Sequence, residues 1–439
     1  MAAPKTTEKI QDNEDTPHAG APPQRGRHLP QSSETEAIEK ARADMLQQGR
    51  ITQRDRIGAD ALCEALIHQG VDVIFGYPGG VILPLYDVWA DYPELRTILV
   101  RHEQGAAHAA DGYARASGRV GVCLGTSGPG ATNLVTGIAT AQLDSVPMVA
   151  LTGNVPGALL GKDAFQEIDI SGITLPMTKH NYLVRDAADI PRVIAEAFHI
   201  ARTGRPGPVH VDFTKDALTA ETQAQNPTTL NLPGFKPRFD GHPRQVKLAA
   251  KAIAEAERPV ILAGHGILIA KATDDLAELA HKAQIPVTHT LLGVGAMDET
   301  DPLSYGYMGM HGWKHVNKAI QSSDLLIALG MRFDDRVTGS VSTYAPNAQI
   351  IHVDIDPSEI GKNVAVDIPI VGDVGNVLRS LIKAVPEVDP ATRTDYFDEL
   401  ATWRKESEAI SWHGSGGSKP GHLTADYVME RLGELTDHD

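Results

Sequence analysis

The chain has 439 residues, of which 42% are hydrophobic and 22% charged, and its formal net charge is −16. This length suits two or three domains with buried cores. The acidic balance argues against nucleic acid or an anionic membrane surface as a partner. Cys63 and Cys123 are the only cysteines, and both lie in apolar segments, which predicts a reducing compartment rather than a disulfide scaffold.

Residues 1–56 form a polar segment that we interpret as a disordered leader, with one helix predicted across Glu34 to Gln48. The segment lacks the apolar centre of a secretory signal, and its acidic residues are unlike an organellar transit peptide. No apolar run approaches the roughly 20 residues that a membrane span needs. We therefore predict a cytoplasmic protein.

Residues 57–218 alternate between strand-like and helix-like segments. A helix over GADALCEALIHQGV precedes the strand and glycine turn of DVIFGYPGG. The next predicted strands are TILV, VGVCLG, PMVALTG and PVHVDF. The helices between them are predicted near residues 105–116, 131–143 and 191–203. This alternation predicts an α/β domain with a parallel sheet covered on both faces.

Residues 219–243 are rich in Thr, Asn, Gln and Pro and are predicted to be an interdomain linker. A second α/β domain is predicted over 244–386, with strands in PVILAGHG, PVTHTL, DLLIALG, QIIHVDID and PIVGD. Residues 387–439 are interpreted as a tail with a loop, HGSGGSKPGH, and a terminal helix, TADYVMERLGEL. The fold class is therefore two doubly wound parallel-sheet domains followed by a C-terminal tail.

One carboxylate occupies a position suited to proton transfer. Glu103 follows the strand-like run from Thr97 to Val100 and precedes the small residues of EQGAAHAADGYA. A carboxyl group shielded by such packing can hold or pass a proton near neutral pH. Without this context, a glutamate would be interpreted as a surface or helix-capping residue. His102 and His108 flank Glu103, but no close second pair of ligands completes a metal site.

A glycine-rich turn, TSGPGATN, follows the next strand-like run. It fits G-x-G-x-x-G only if Asn133 replaces the third glycine, and no clear acidic residue ends the following strand. The sequence is therefore a weak dinucleotide-binding signal. A tight strand–helix turn also accounts for its small residues.

These segments together resemble a known family. FGYPGG, VRHEQGAAHAADGYA, SGPGATN and GMRFDDRVTG are similar in order and spacing to the acetohydroxyacid (acetolactate) synthases, which are thiamine-diphosphate enzymes. The resemblance covers about Ile57 to Asp439. It implies a pyrimidine-binding domain over 57–218 and a central FAD-associated domain over 244–386. The implied reaction decarboxylates pyruvate and condenses the two-carbon unit with pyruvate or 2-ketobutyrate, as the first common step of branched-chain amino acid biosynthesis.

The resemblance assigns the catalytic role to Glu103. In the family this glutamate hydrogen-bonds N1′ of the aminopyrimidine and promotes loss of the thiazolium C2 proton. Binding of thiamine diphosphate is implied for Pro78, Gly79 and Asn133. A substrate channel is implied for Gly80, Val81, Phe165, Gln166 and Lys215, with Val81 in place of the usual alanine and Lys162 in place of threonine.

The second domain carries flavin-like segments of the family. Arg205 corresponds to an arginine near the flavin pyrophosphate, and arginine suits phosphate because its charge is permanent and its donors form a fork. His265 replaces the middle glycine of three, which bears on close backbone approach to the flavin. The other implied cofactor contacts are Gly264, Thr290, Leu291, Met310, His311, Gly330, Arg332, Asp334, Arg336, Asp354, Ile355, Glu359 and Asp373. In the family this FAD is structural.

We find no counterpart of the family's GDG motif, which holds Mg²⁺ and the diphosphate in a third domain. We therefore expect the Mg²⁺ ligands to lie in that missing domain, the tail to lead towards it, and this chain alone to be inactive. The resemblance also implies a homodimer or homotetramer, a separate regulatory small subunit and 2-keto acid substrates. It implies no nucleic-acid or membrane partner.

Two alternatives stay open at this point. One is another thiamine-diphosphate decarboxylase or carboligase, such as a glyoxylate carboligase, a sulfoacetaldehyde acetyltransferase or a pyruvate oxidase. Glu103 argues against the carboligase, and RFDDRVTG favours the synthase. The other is a non-catalytic FAD-binding or regulatory module, which would bind flavin tightly without gaining activity from a separately supplied third domain.

Overall fold

The computed structural model describes residues 55–409 and 423–436. The helix predicted across Glu34 to Gln48 and the loop HGSGGSKPGH lie outside these residues. The described residues fall into two compact units. The first unit comprises the residues up to Phe198 together with Pro208–Leu230, and the second comprises His199–Gly207 and the residues from Asn231 onward.

The first unit is built on a six-stranded sheet with the order β2-β1-β3-β4-β6-β5. All neighbouring strands pair in parallel. The strands are β1 Val73–Gly76, β2 Arg96–Leu99, β3 Gly121–Gly125, β4 Met148–Asn154, β5 His180–Val184 and β6 Pro208–Thr214. Strand β5 was not predicted from the sequence, because this edge strand is mostly accessible and lacks a continuous apolar run.

Eight α-helices accompany this sheet among the described residues. They are α1 Gly58–His68, α2 Leu83–Trp89, α3 Glu103–Ser117, α4 Pro129–Asn133, α5 Val135–Asp144, α6 Ile170–Thr174, α7 Ile190–Arg202 and α8 Lys215–Thr219. The helix predicted near residues 131–143 is thus two helices that meet at Leu134.

Small side chains let α3 lie directly against the sheet and against α5. A Cβ atom on Gly121 of β3 would lie 2.1 Å from the carbonyl oxygen of Ala110. A Cβ atom on Gly137 of α5 would lie 2.3 Å from the Cβ of Ala107. Because larger residues would push these elements apart, the alanines and glycines bring the first turn of α3 close to the carboxyl ends of the strands.

A buried polar network joins β4 to β6. The Thr152 hydroxyl donates to Asp212 Oδ1 at 2.6 Å, and Asn154 Nδ2 donates to Asp212 Oδ2 at 2.6 Å. The Thr152 hydroxyl oxygen also lies 2.7 Å from His210 Nε2. Burial raises the pKa of Asp212 to about 6 and lowers the pKa of His210 to about 4.

We expect these two shifts to oppose each other in the pH dependence of stability. Asp212 is stabilising only while protonated, so its contribution falls as pH rises from about 4 to 6. His210 must stay neutral, so its contribution falls as pH drops from 6.5 to about 4. The nearby charge of Asp169 adds to the upward shift of the Asp212 pKa.

In Asp212→Asn, the loss of stability that His210 causes at low pH should no longer be offset by the opposite effect of Asp212. The free energy of unfolding of the variant should fall by about 3 kcal/mol more than that of the wild type between pH 6.5 and pH 4. Urea unfolding at several pH values, followed by circular dichroism, measures both slopes. Parallel slopes for the two proteins would contradict the expectation. Asp163→Asn, at an exposed position, is the matched control.

The second unit is built on another six-stranded parallel sheet, with the order β12-β11-β10-β7-β8-β9. The strands are β7 Pro259–Ala263, β8 Val287–His289, β9 Ser304–Tyr307, β10 Leu325–Leu329, β11 Gln349–Asp354 and β12 Ile368–Val371. This order is that of a doubly wound nucleotide-binding sheet, in which chain progression reverses between β7 and β10. The predicted pair of doubly wound parallel-sheet domains is thereby confirmed.

The helices of the second unit cover both faces of its sheet. Buried apolar side chains form one core on each face. The helices are α9 Pro243–Glu255, α10 His265–Ala270, α11 Thr273–Ala283, α12 Lys314–Ser322, α13 Asp335–Thr338, α14 Val374–Ala384 and α15 Thr394–Ala409, and they are followed by α16 Ala425–Leu435, whose described residues are largely exposed.

Helix α15 belongs to the second core, although its residues were predicted to lie in a tail. Tyr396, Leu400 and Trp403 are buried among the side chains of this core. The guanidinium of Arg258 lies over the ring of Tyr396, 4.9 Å from its centroid, and donates to Glu399 at 2.7 Å. The alternation of charged and apolar residues in TDYFDELATWRKESEA hid this buried face.

In the described part of the chain, no helix combines the length and apolar character required to span a membrane. The same residues contain no cluster of three or more His, Cys, Asp or Glu side chains that could hold a metal ion.

Candidate functional site

Two loops meet at the point in the first sheet where the order of strand addition reverses. Strands β1 and β3 are neighbours, but the chain continues from β1 to β2 on the other side. Ligands of doubly wound proteins bind at such a point, outside the carboxyl ends of the strands. Here Gly79, after β1, lies so close to Thr126, after β3, that a Cβ on the glycine would be 2.4 Å from the threonine Cβ.

Glu103 lies beside this crevice as the first residue of α3. Its side chain is buried, with 7% of the residue exposed. Asn133, the last residue of α4, donates from Nδ2 to Glu103 Oε2 at 2.9 Å. The other oxygen, Oε1, lies 3.2 Å from the point that a Cβ on Gly130 would occupy. The structure therefore brings Glu103 and Asn133 together and turns Oε1 towards the glycine-rich turn.

Two hydroxyl groups that the sequence analysis missed lie near this carboxylate. The Thr126 hydroxyl is buried without a hydrogen-bond partner among the described residues. The Tyr86 hydroxyl is also buried without such a partner, and it lies 3.1 Å from the point that a Cβ on Gly76 would occupy. Burial, followed by the nearby charge of Glu103, raises the pKa of Tyr86 to about 12. Thr126 is the first residue of the TSGPGATN motif, which was the sequence signal for it.

The turn after β3 also contacts the segment that contains Gln166. Gly128 has φ 61° and ψ −119°, a conformation that glycine adopts readily and residues with a side chain rarely adopt. A Cβ at this position would lie 2.8 Å from the backbone oxygen of Gln166. Gln166 itself has φ 59°. The predicted channel residue thus rests with its backbone on the glycine turn next to Glu103.

The other residues predicted for this site differ in position and exposure. Val81 contacts β4, because a Cβ on Gly153 would lie 2.8 Å from Val81 Cγ2. Phe165 is 88% exposed in this chain. Lys215 is exposed at the start of α8. Pro78 is half-buried and Gly80 exposed in the loop between β1 and α2.

The residues predicted to bind FAD follow the strands of the second sheet. Parallel strands end at one edge, so the loops after them share that edge. Gly264 follows β7 and Gly330 follows β10, the two strands at the reversal point. A Cβ on Gly264 would lie 2.2 Å from the Gly330 carbonyl oxygen. His265 replaces a glycine of the family as the first residue of α10, without preventing this close approach.

Arg205 is held by carboxylates of the same edge. Its Nη1 donates to Glu359 Oε1 at 2.6 Å and to Asp356 Oδ2 at 3.0 Å. Burial raises the pKa of Asp354, at the end of β11, to about 6, while hydrogen bonding with the Asp356 amide opposes that increase. The structure therefore places Arg205, Asp354 and Glu359 together. Ile355 follows Asp354 in the same loop.

Two predicted acidic residues of this edge cap helices. Asp334 accepts from the backbone nitrogens of Arg336 and Val337 at the start of α13. Asp373 accepts from the backbone nitrogen of Asn376 at the start of α14. Helix capping thus occupies one oxygen of each carboxylate.

Exposed apolar side chains also lie along the carboxyl edge of the second sheet. Leu291 and Val294 follow β8, and Met310 follows β9. Met310 accepts a long contact of 3.9 Å from Arg336 Nη1 at its sulfur. An edge with both apolar and cationic side chains suits a ligand with a flat ring system and a phosphate. Thr290, His311 and Arg332 lie in the same loops after β8, β9 and β10.

The first unit has chemistry that fits an aminopyrimidine. A buried carboxylate with one oxygen oriented by an amide can exchange a proton with a ring nitrogen. The buried hydroxyl of Thr126 is a further polar group beside it. Glycines at the reversal point let the backbone approach a ring closely.

Comparison with known proteins matches both units to one group of enzymes. Residues 56–173 match the thiamine pyrophosphate enzyme, N-terminal TPP binding domain. Residues 246–381 match the thiamine pyrophosphate enzyme, central domain.

Curated relatives give a more specific similarity. The chain is 52% identical over 381 residues to the probable acetolactate synthase large subunit of Methanocaldococcus jannaschii, covering 86% of this chain and 64% of the relative. It is 53% identical over 385 residues to the acetolactate synthase of Mycobacterium bovis, covering 87% and 62%. It is 48% identical over 401 residues to the acetolactate synthase large subunit of Corynebacterium glutamicum, covering 90% and 63%. The chain thus spans less than two thirds of the length of these relatives.

Proposed function

Since the chain belongs to the thiamine pyrophosphate enzymes and is a homologue of acetolactate synthase large subunits, we propose that it carries the pyrimidine-binding and central domains of an acetolactate synthase. The proposed reaction decarboxylates pyruvate and transfers the two-carbon unit to pyruvate or 2-ketobutyrate. The observation that carries the proposal is the buried Glu103 carboxylate, oriented by Asn133 at the reversal point of the first sheet.

The chain's own residues would act on the pyrimidine half of the cofactor. Thiamine diphosphate, when bound, supplies the carbon nucleophile that attacks the 2-keto acid. Glu103 holds a proton at Oε1 for a ring nitrogen, and Asn133 keeps the carboxyl group in one orientation. Burial of Glu103 excludes water, which would strengthen a hydrogen bond from its carboxyl group to a bound ring.

Residues of the turn and loops would position the reactants. Gly79, Gly128 and Gly130 let the backbone approach the ring, while Pro78 orders the loop before them. Gln166, whose backbone contacts Gly128, would face the keto acid. The other residues proposed to face it are Gly80, Val81, Phe165 and Lys215. These roles follow the family resemblance and are supported by the contact between Gln166 and Gly128.

FAD is proposed as a structural cofactor of the second unit. The support is the reversal point between β7 and β10, where the backbones of Gly264 and Gly330 meet, together with Arg205 near the same edge. The proposed set also includes the loop residues after β8, β9, β11 and β12 predicted from the sequence. A flavin absorbance spectrum that persists through gel filtration of the purified chain would support this assignment.

Mg²⁺, the oligomeric state and a regulatory subunit stay proposals as well. Two of the relatives named above are called large subunits, which supports a separate small subunit for this chain. Exposed Leu99 and Phe165 near the candidate site support contact with a second copy, as a homodimer or homotetramer. Mg²⁺ ligands and a cytoplasmic location stay predictions from the sequence.

Acetolactate formation from pyruvate tests the proposed function. The purified chain is assayed with thiamine diphosphate, Mg²⁺ and FAD, first alone and then with the remaining part of the Methanocaldococcus jannaschii relative, produced separately. We expect acetolactate after the addition. Absence of acetolactate, together with no binding of thiamine diphosphate, would argue for a non-catalytic flavin-binding module instead.

A further inference from the structure

The loop before Gln166 folds around one carboxylate. Glu167 Oε2 accepts from the backbone nitrogens of Ala164 at 2.9 Å and Lys162 at 3.3 Å. Glu167 Oε1 accepts from the backbone nitrogen of Gly161. Hydrogen bonds from Ala164 and Gly161, and weaker ones from Lys162 and Asp163, hold the pKa of Glu167 below its usual value. Consecutive backbone N–H groups that converge in this way form an anion-binding concavity, here filled by the chain's own side chain.

The loop conformation needs such a partner. Asp163 has φ 53° and Gln166 has φ 59°, both in the left-handed region that non-glycine residues rarely adopt. Strained residues persist only where the surrounding contacts over-determine them. Most of the loop is accessible, so few buried apolar contacts can supply that constraint.

The position of Gln166 depends on the same loop. Its backbone lies on Gly128, whose turn leads into α4 and so to Asn133 and Glu103. The chain after Glu167 is fixed by a helix cap. Asp169 accepts from the backbone nitrogen of Gly172 at 2.9 Å at the start of α6. Gln166 thus lies between a carboxylate-bound loop and a capped helix.

We propose that Glu167 is a positioning residue: its carboxylate gathers the backbone N–H groups of residues 161–164 and so holds Gln166 against the Gly128 turn. The role in catalysis rests on the function proposed above. Glu167 acts through Gln166 and does not itself touch the reactants.

Hydrogen exchange of the full chain tests the structural half of this proposal. Glu167→Ala should speed exchange of the Gly161 and Ala164 amides by about tenfold or more, since their acceptor is lost, and should affect the Lys162 amide less because it also donates to the Leu159 carbonyl at 3.2 Å. Glu167→Gln should retain part of the protection because its amide oxygen still accepts. Asp163→Asn removes one charge from the same loop and should leave exchange of the Gly161, Lys162 and Ala164 amides unchanged. Equal exchange rates in Glu167→Ala and wild type would overturn the proposal.

A double-mutant cycle tests whether Glu167 acts through Gln166. In the acetolactate assay described above, Gln166→Ala and Glu167→Ala should each raise KM for pyruvate, by ten- to a hundredfold, of the order expected for misplaced reactants. The double variant should lose no more than Gln166→Ala alone, because the two residues share one effect. Additive losses would overturn the proposal. If the wild type forms no acetolactate, the proposed function fails, and the exchange experiment alone decides the role of Glu167 in the loop.

Discussion

Glu103→Gln is expected to lower the rate of acetolactate formation by about 10²- to 10⁴-fold, the usual contribution of a positioned acid or base. Glutamine matches glutamate in shape and can still accept from Asn133, so the fold should persist. It cannot hold or release a proton at the buried Oε1 position. The rate of product formation and the affinity for thiamine diphosphate should both be measured, because the largest loss is expected in the rate.

Asp111→Asn is the matched control for this substitution. Asp111 lies on the same helix and is equally buried, with 7% of the residue exposed. Its carboxylate accepts from Arg115 at 2.6 Å and lies away from the candidate site. Loss of stability without a comparable loss of rate is expected for this control. A Glu103→Gln variant as active as the wild type would contradict the proposed proton transfer.

Arg393→Ala is expected to destabilise the second unit by about 3 kcal/mol or more, because it removes the donor from two buried and two partly buried carbonyl groups. Arg393 is 4% exposed. Its guanidinium donates to the carbonyls of Ile253 and Ala256 at 3.2 and 3.0 Å, and to those of Ala283 and Gln284. These carbonyls end α9 and α11, where a positive charge also interacts favourably with the helix dipoles. One side chain thus ties the start of α15 to two helix ends.

Urea unfolding measures this loss, and hydrogen exchange assigns it to one unit. Amides of β7–β12 should exchange faster in the variant, while those of β1–β6 should be unaffected. Arg393→Lys should be intermediate, since an ammonium group cannot reproduce the planar fork. Arg379→Ala is the control: this arginine is largely exposed and pairs with Asp275 at 2.8 Å, so about 1 kcal/mol or less is expected. Unchanged stability of Arg393→Ala would contradict the capping role.

Local patterns in the sequence were sufficient for most elements of both sheets. Apolar runs bounded by glycine predicted the central strands, because these strands are buried on both faces. The edge strand β5 and the helix α15 lack such a pattern, since each exposes one side, and the sequence analysis missed them. The break at Leu134 was also missed, because TSGPGATNLVTGIATAQLD has no helix-breaking residue after Gly130 and before Gly137.

The sequence by itself predicted the resemblance to acetolactate synthases, the two parallel α/β domains and the role proposed for Glu103, because motifs, glycine turns and apolar periodicity involve residues close together in the chain. Only the tertiary structure decided which groups meet Glu103, namely the Asn133 amide and the Gly130 turn, and that the Thr126 hydroxyl is buried without a partner among the described residues. It also decided that Arg205 pairs with Glu359 and that the Glu167 carboxylate closes the loop before Gln166. Such contacts depend on the directions of side chains and backbone N–H groups after packing, which no local pattern specifies.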